Sequence, residues 1–261
     1  FQADGIKINW HNMGTSPQAA RAMGSGSLDI AGNMNTAALL MLNSEGLPVR
    51  VVTGTAHPTS NFAIVSKPGT ELSVRDLKGK QVVGPKGTFL HQLLVAALEK
   101  EGMKESDVQF INMSIPKALS TILAGHADAA LVASSALIKA NKAGTKTIIN
   151  AEGLVEPTLV MTTTKQFVEE HLNIVKRVDK VYAESLQWMK DHPAETAEMG
   201  AKEHGISVED AKTLMERSHY FDKMTTKDLE DLKVNQKFLR DNGMMRNEVT
   251  VEELVLPVEM E

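Results

Sequence analysis

The chain has 261 residues, 42% of them hydrophobic, which is enough for one large core or two smaller ones. A formal net charge of −5 without a long basic run argues against a nucleic-acid partner, and no apolar stretch reaches membrane-spanning length. With no cysteine, disulfides, thiolate catalysis and cysteine metal sites are excluded, a composition that suits an exported protein.

In chain order, residues 6–10 predict a strand, with Trp10 expected to fill the core. A helix follows, with Ser16 as its expected cap, Pro17 in its first turn and Gly26 as its left-handed stop. Residues 28–31 predict a short buried strand, and the polar stretch from Asn33 to Thr36 opens the next apolar run. Strands are expected at 49–53, after the turn at Gly46, and at 61–66, closed by Lys67-Pro68-Gly69. A short helix and turn at 73–80 leads into a strand at 81–83. The glycine-rich stretch Gly84-Pro85-Lys86-Gly87-Thr88 then precedes a helix over 89–100. Further strands are expected at 108–111, 127–132 and 147–150, with a helix from Pro116 that stops at Gly125. After about residue 165 the pattern is helical, broken at Pro193 and Gly205, and the acidic tail 249–261 is expected on the surface. Strands alternating with helices predict mainly parallel sheets flanked by helices. Fourteen methionines against two tryptophans and two tyrosines make the expected core aliphatic and thioether.

The chain also resembles itself at an offset of 99 residues. Pro17 pairs with Pro116, Ala19 with Ala118, Gly26 with Gly125, Asp29 with Asp128 and Ala31 with Ala130, without a gap. The register continues from Asn35-Thr36-Ala37 to Ser134-Ser135-Ala136. Two similar α/β units are expected, and two such units facing each other make a cleft.

The segments Gly5-Ile6-Lys7-Ile8, Gly26-Ser27-Leu28-Asp29-Ile30-Ala31, Gly46-Leu47-Pro48-Val49, Asp76-Leu77-Lys78-Gly79-Lys80, Gly84-Pro85-Lys86-Gly87-Thr88 and Gly125-His126-Ala127-Asp128-Ala129 occur in one order along nearly the whole chain. In this the chain resembles the substrate-binding proteins of bacterial ABC importers that carry sulfonates, taurine, nitrate or thiamine precursors. The resemblance implies a two-lobed periplasmic-binding-protein fold of the second type, with lobe 1 at 1–62 and 158–261 and lobe 2 at 63–157. The hinge crossings are expected near 61–65 and 155–161. It further implies a small-molecule ligand, an ABC transporter permease as partner, no cofactor, a monomer, and a periplasmic place or one on the outer face of the cytoplasmic membrane. The resemblance implies a strand and helix ahead of the Phe1 segment, and with them the family's first ligand-contacting loop, which is expected to be missing from the residues of this sequence. Where many relatives carry an aromatic-acidic-proline corner, this chain has Ala133-Ser134-Ser135, which removes a wall for a large ring.

Helix N-termini offer unpaired N–H groups and partial positive charge, which suit an anion. The expected ligand contacts are therefore Thr15, Ser16, Asn33, Asn35, Thr36, Gly87, Thr88, His91, Ser134 and Ser135. Gly87-Thr88 is the foremost, because in sulfonate binders the matching segment carries hydroxyls before the histidine that aligns with His91. Phe89 and Leu90 replace two of those hydroxyls here. Capping selects the same residue types, so the capping role stays open for Thr36, Thr88 and Ser134. A lone histidine is more often a packing or surface residue, a reading that weighs on His91 and His11 alike. Lys86 reads as solvent-facing, and Asp29 and Asp128 as strand-edge or turn residues. No metal site is expected, since no zinc motif, phosphate loop or dinucleotide fingerprint occurs. A non-catalytic importer component is the leading reading. The alternatives are a thiamine-pyrimidine-precursor binder or synthase-like enzyme, which the lack of cysteine disfavours, and the effector domain of a transcription regulator.

Overall fold

The computed structural model describes residues 5–13 and 15–256. The expectations that touch residues 1–4, Gly14 and 257–261 lie outside the described residues. Two sheets organise the chain. A three-stranded sheet has the order β1 (Ile30–Asn35), β8 (Leu159–Thr164), β2 (Val49–Ala56). A five-stranded sheet has the order β5 (Gln109–Asn112), β4 (Gln81–Gly84), β6 (Ala129–Ala133), β3 (Phe62–Ser66), β7 (Thr147–Asn150). The chain passes from the first to the second between Ala56 and Phe62 and returns between Asn150 and Leu159. Strand β3 fills most of the stretch in which the first crossing was expected.

The α/β class holds, but the expectation of mainly parallel sheets does not. Strand β8 runs antiparallel to both β1 and β2, and β3 runs antiparallel to both β6 and β7. Among the described strands the parallel pairs are β4 with β5 and β4 with β6. Alternation of helix and strand specifies parallel pairing only while the chain stays in one sheet through crossover helices. Strands β3 and β8 instead enter directly from the other sheet and so run the opposite way.

The internal similarity reappears at the same offset in the folded chain. Helix α1 (Ser16–Gly24) and helix α4 (Ile115–Leu123) begin and end 99 residues apart, as do the starts of β1 and β6. Helices α2 (Thr36–Ser44) and α5 (Ser135–Lys142) start at equivalent positions too. Both stops use one device. The N–H groups of Gly26 and Ser27 bond to the carbonyls of Met23 (3.1 Å) and Ala22 (2.8 Å), while those of Gly125 and His126 bond to Ile122 and Thr121, each at 3.0 Å. This double closure needs a left-handed residue, and Gly26 and Gly125 supply φ of 70° and 74°. One detail differs from expectation: Thr15, not Ser16, caps α1, because its hydroxyl accepts the Gln18 N–H (3.3 Å) while Ser16 is already helical.

Helix α3 (Phe89–Lys100) lies as expected, and a helical C-terminal region follows β8. It comprises α6 (Lys165–Asp191), α7 (Pro193–His204), α8 (Val208–Glu216) and α9 (Thr226–Asp241), with Pro193 opening α7 and left-handed Gly205 closing it. None of the described helices is long and apolar enough to cross a membrane. The main core runs from one sheet to the other. Met34, Leu39, Leu40 and Val160 on one side meet Ile64, Val82 and Leu131 on the other through Phe89, Leu90, Leu93 and Leu94 of α3. A smaller apolar cluster, with Ala118, Ile122, Val83, Val132 and Leu137, packs α4 and α5 on the other face of the five-stranded sheet.

Two expectations fail, one for want of a pairing partner and one because a remote strand supplies one. Residues 6–10 join no ladder among the described residues, and Trp10 is 87% exposed rather than in the core. Alternating apolar residues make a strand only beside a neighbour that accepts their backbone hydrogen bonds. The tail, conversely, is not all surface. Val251, Leu254 and Val255 are buried, the Val51 N–H bonds the Leu254 carbonyl (2.8 Å), and Val255 bridges to Val51 in parallel. Its acidic residues conceal an apolar triplet that docks on β2.

Candidate functional site

Strands β4, β5 and β6 are parallel, so their C-terminal ends share one edge of the five-stranded sheet. The chain leaves β4 through α3 to β5 on one side, then returns through α4 to β6 on the other. The gap between β4 and β6 is thus a topological switch point, where α/β sheets open a crevice. The loop to Gly87 and Thr88 leaves β4 there, and Ser134 follows β6. In the three-stranded sheet, β1 and β2 both oppose β8, so Asn35, Thr36 and Ala56 also end at one edge.

The two crossing segments bring these edges together. The Thr36 N–H donates to the Thr158 carbonyl (3.1 Å), and the Ser134 N–H to the Asn61 carbonyl (2.8 Å). Thr59 reaches across from one crossing to Glu156 on the other (Oγ1 to Oε2, 3.4 Å). Farther in, a Cβ added to Gly87 would sit 3.4 Å from the Met41 methyl of α2. Helix starts from both sheets therefore gather beside the crossings.

Within that gathering the expected residues divide by what their polar atoms already do. Thr15 is spent as a cap. Asn35 caps α2, its Oδ1 accepting the Ala38 N–H (2.8 Å), while its own N–H and Nδ2 donate to Ser16 Oγ (3.2 and 2.9 Å). Asn33 is exposed and accepts from the Thr55 hydroxyl (3.3 Å). The Thr88 hydroxyl donates to the Pro85 carbonyl (2.9 Å), so Thr88 stands at the N-cap of α3 without capping it.

Thr36, Ser134 and Ser135 are uncommitted. The Thr36 side chain is 0% exposed, yet its Oγ1 has no hydrogen-bond partner. A buried hydroxyl left unsatisfied costs about 1–3 kcal/mol. Ser134 holds φ of 54° and ψ of −130°, and its hydroxyl caps nothing. A residue without glycine's freedom there stores about 1–3 kcal/mol of strain, of the kind that persists at functional sites. Its counterpart at the same offset, Asn35, is extended and caps its helix, so the two units differ at these turns.

His91 takes a packing position, the role a lone histidine more often has. It is 1% exposed, stacks on Phe110 (4.9 Å, 9°), accepts the Gly87 N–H at Nδ1 (3.4 Å) and places Nε2 3.1 Å from Glu105 Oε2. Burial is the main influence on its pKa and pushes it down; Glu105 pulls it up and Lys86 adds to the lowering, leaving it below the ordinary histidine value. Lys86 itself is exposed, as expected, and Asp128 is a strand-edge residue that accepts the Gln81 N–H (3.2 Å) and pairs with Lys67 (3.3 Å).

Sequence reasoning missed Asn61 and Thr158, whose carbonyls hold the helix starts in place, because a backbone acceptor leaves no signature. It also missed two side-chain links to α9. Gln92 Nε2 donates to Asn235 Oδ1 (2.5 Å) with both residues buried, joining α3 to α9. His57, in the first crossing, bonds Asp228 (2.7 Å) and stacks on Phe221 (4.1 Å). Ser114 takes the N-cap position of α4 at the same parallel edge and makes no side-chain cap bond. Among the described residues no group of three histidines and carboxylates is placed to hold a metal ion.

Comparison with known proteins places the chain. The sequence model of the NMT1/THI5-like family matches residues 1–196. The taurine-binding periplasmic protein of Escherichia coli K12 is 29% identical over 180 residues, which cover 67% of this chain and 55% of that protein. The chain thus spans little more than half of that relative's length. Among solved structures, the alkanesulfonate-binding protein SsuA of Xanthomonas axonopodis pv. citri, bound to MOPS, superposes with a TM-score of 0.86 at 19% identity, covering 98% of this chain and 89% of that one. The periplasmic aliphatic sulphonate binding protein SsuA of Escherichia coli gives 0.79 at 18% identity, covering 97% and 88%. The fold of those periplasmic binding proteins is the fold of this chain.

Proposed function

The chain belongs to the NMT1/THI5-like family, and from that premise we propose that it is the solute-binding component of an ABC importer, taking a small sulfonate-like anion into the crevice between its sheets. The observation that carries this reading is the buried, unpartnered Thr36 hydroxyl at the start of α2, in a crevice where the Ser134 and Ser135 hydroxyls are also free. A fold keeps such a group when something other than the protein satisfies it. An anion oxygen fits, because it accepts from a hydroxyl and gains from the partial positive charge of a helix start. The backbone N–H groups opening α2, α3 and α5, with Thr88 between them, form the rest of the grip. Ala133 offers no ring to stack on, which favours a small ligand over a pyrimidine.

In this reading residues 1–62 and 158–261 form one lobe and 63–157 the other, and closure hides the ligand. The lobes then present a closed surface to a permease on the outer face of the cytoplasmic membrane. A ligand shifts the open–closed balance only by its difference in affinity for the two states. Binding is stoichiometric and nothing is turned over.

Calorimetry and thermal shift with taurine, ethanesulfonate, nitrate and a hydroxymethyl-pyrimidine test the proposal. One-to-one binding of a sulfonate, with a raised melting midpoint and the ligand recovered unchanged, is expected. Binding of the pyrimidine alone, or chemical conversion of any ligand, overturns it.

A further inference from the structure

Among the expected ligand residues, His91 is buried and makes one ring hydrogen bond, at Nδ1, and that bond bears on the neighbouring loop. Nδ1 accepts a hydrogen bond from Gly87, the residue immediately before Thr88. A ring nitrogen accepts only when it carries no proton, so the bound form is neutral imidazole with its proton on Nε2, on the side of Glu105. Phe110 fixes the plane of the ring by stacking. Gly87 itself holds φ of 70°, so the loop depends on a conformation that no interaction within a regular helix or strand imposes. The fully protonated ring has no acceptor and would set N–H against N–H at Gly87.

We propose that His91 is a positioning residue, which braces the Gly87-Thr88 loop in its anion-gripping conformation, and that protonation of the ring releases the brace and weakens anion binding in acid. This rests on the reading of the crevice as an anion site. The groups facing the ring are Glu105 from the short 3-10 turn before β5, Phe110 from β5 and Lys86 from the loop itself. Burial and Lys86 together outweigh Glu105, so the ring stays neutral to lower pH than a free histidine. The sign follows. The brace is complete above the ordinary histidine range near pH 6.5 and fails as pH falls through the lower folded value. A histidine that instead gripped the anion as a cation would give the opposite trend, with tighter binding in acid.

The test measures ethanesulfonate affinity by calorimetry from pH 8 to pH 5, a range over which the probe keeps its charge. Wild type is expected to lose affinity on acidification, approaching tenfold per pH unit once the ring titrates. H91Q, whose amide oxygen can accept the Gly87 N–H without titrating, is expected to bind within a few-fold of wild type at pH 8 and to lose that slope. Affinity that rises in acid, or an equal slope in H91Q, overturns the proposal. In ligand-free protein, ¹⁵N-labelled spectra are expected to show the Gly87 amide shifting with the same midpoint as the His91 ring. An unresponsive Gly87 amide overturns the brace. Failure of wild type to bind ethanesulfonate at every pH rejects the anion reading, and with it the affinity effect, while the spectra still decide whether the brace exists.

Discussion

The hydroxyl of Thr36 is one of the buried side-chain atoms among the described residues that have no hydrogen-bond partner. Replacing it with an isosteric methyl removes the desolvation cost and keeps the shape. Thr36→Val is therefore expected to stabilise the ligand-free protein by about 1–3 kcal/mol while weakening anion binding. Denaturant unfolding and calorimetry on the same variant read the two effects; a loss of stability would show that the hydroxyl is satisfied. Asp228 presents the reverse case. Burial pushes its carboxyl up, but the hydrogen bonds from His57 and Thr225 together outweigh burial and hold it below the usual carboxylate value. It also closes the N-terminal box of α9, accepting from the Thr225 N–H (2.8 Å) and hydroxyl (2.7 Å). Asp228→Asn is expected to cost about 1–3 kcal/mol at neutral pH. Because the folded carboxyl titrates below its unfolded value, that contribution is whole above about pH 4 and is lost as pH falls through the folded value. Unfolding at pH 7 and pH 3 should show the gap between variant and wild type closing in acid.

At the scale of elements, helix ends and most strands were legible in the sequence, since they rest on contacts within a few residues. Gly26 and Gly125 mark the stops, Pro193 and Gly205 bound α7, and the 89–100 helix has the bounds its pattern predicts. Closeness of strands was not legible, because it depends on remote residues. Gly84 on β4 shows the point: a Cβ there would lie 2.5 Å from Leu131 Cβ on β6, two strands joined only through α3, β5 and α4. Neither atom can move without its backbone, so Gly84→Ala is expected to destabilise by about 1–3 kcal/mol, read from the denaturant midpoint. The strand expected at residues 6–10 fails on the same point: its alternation is local, but these residues join no ladder among the described residues.

For the molecule as a whole, the C-terminal region joins what the sheets leave separate. Helix α9 meets α3 through Gln92 and Asn235 and meets the first crossing through His57 and Asp228, and the chain after it docks on β2. Leu254, 2% exposed, anchors that docking. Leu254→Ala is expected to cost about 2–5 kcal/mol, lowering the denaturant midpoint, whereas a tail lying loose on the surface would make it neutral. By itself, the sequence determined the α/β class, the duplicated unit with its matching stops, the helical C-terminal region and the family, because each rests on short-range pattern or on order along the chain. Only the tertiary structure decided the strand directions, the docked tail, and which helix starts stay open. Those outcomes turn on which partners the folded chain supplies: Ser16 claims Asn35, Pro85 and Gly87 occupy Thr88 and His91, and the Thr36 hydroxyl is left without a partner.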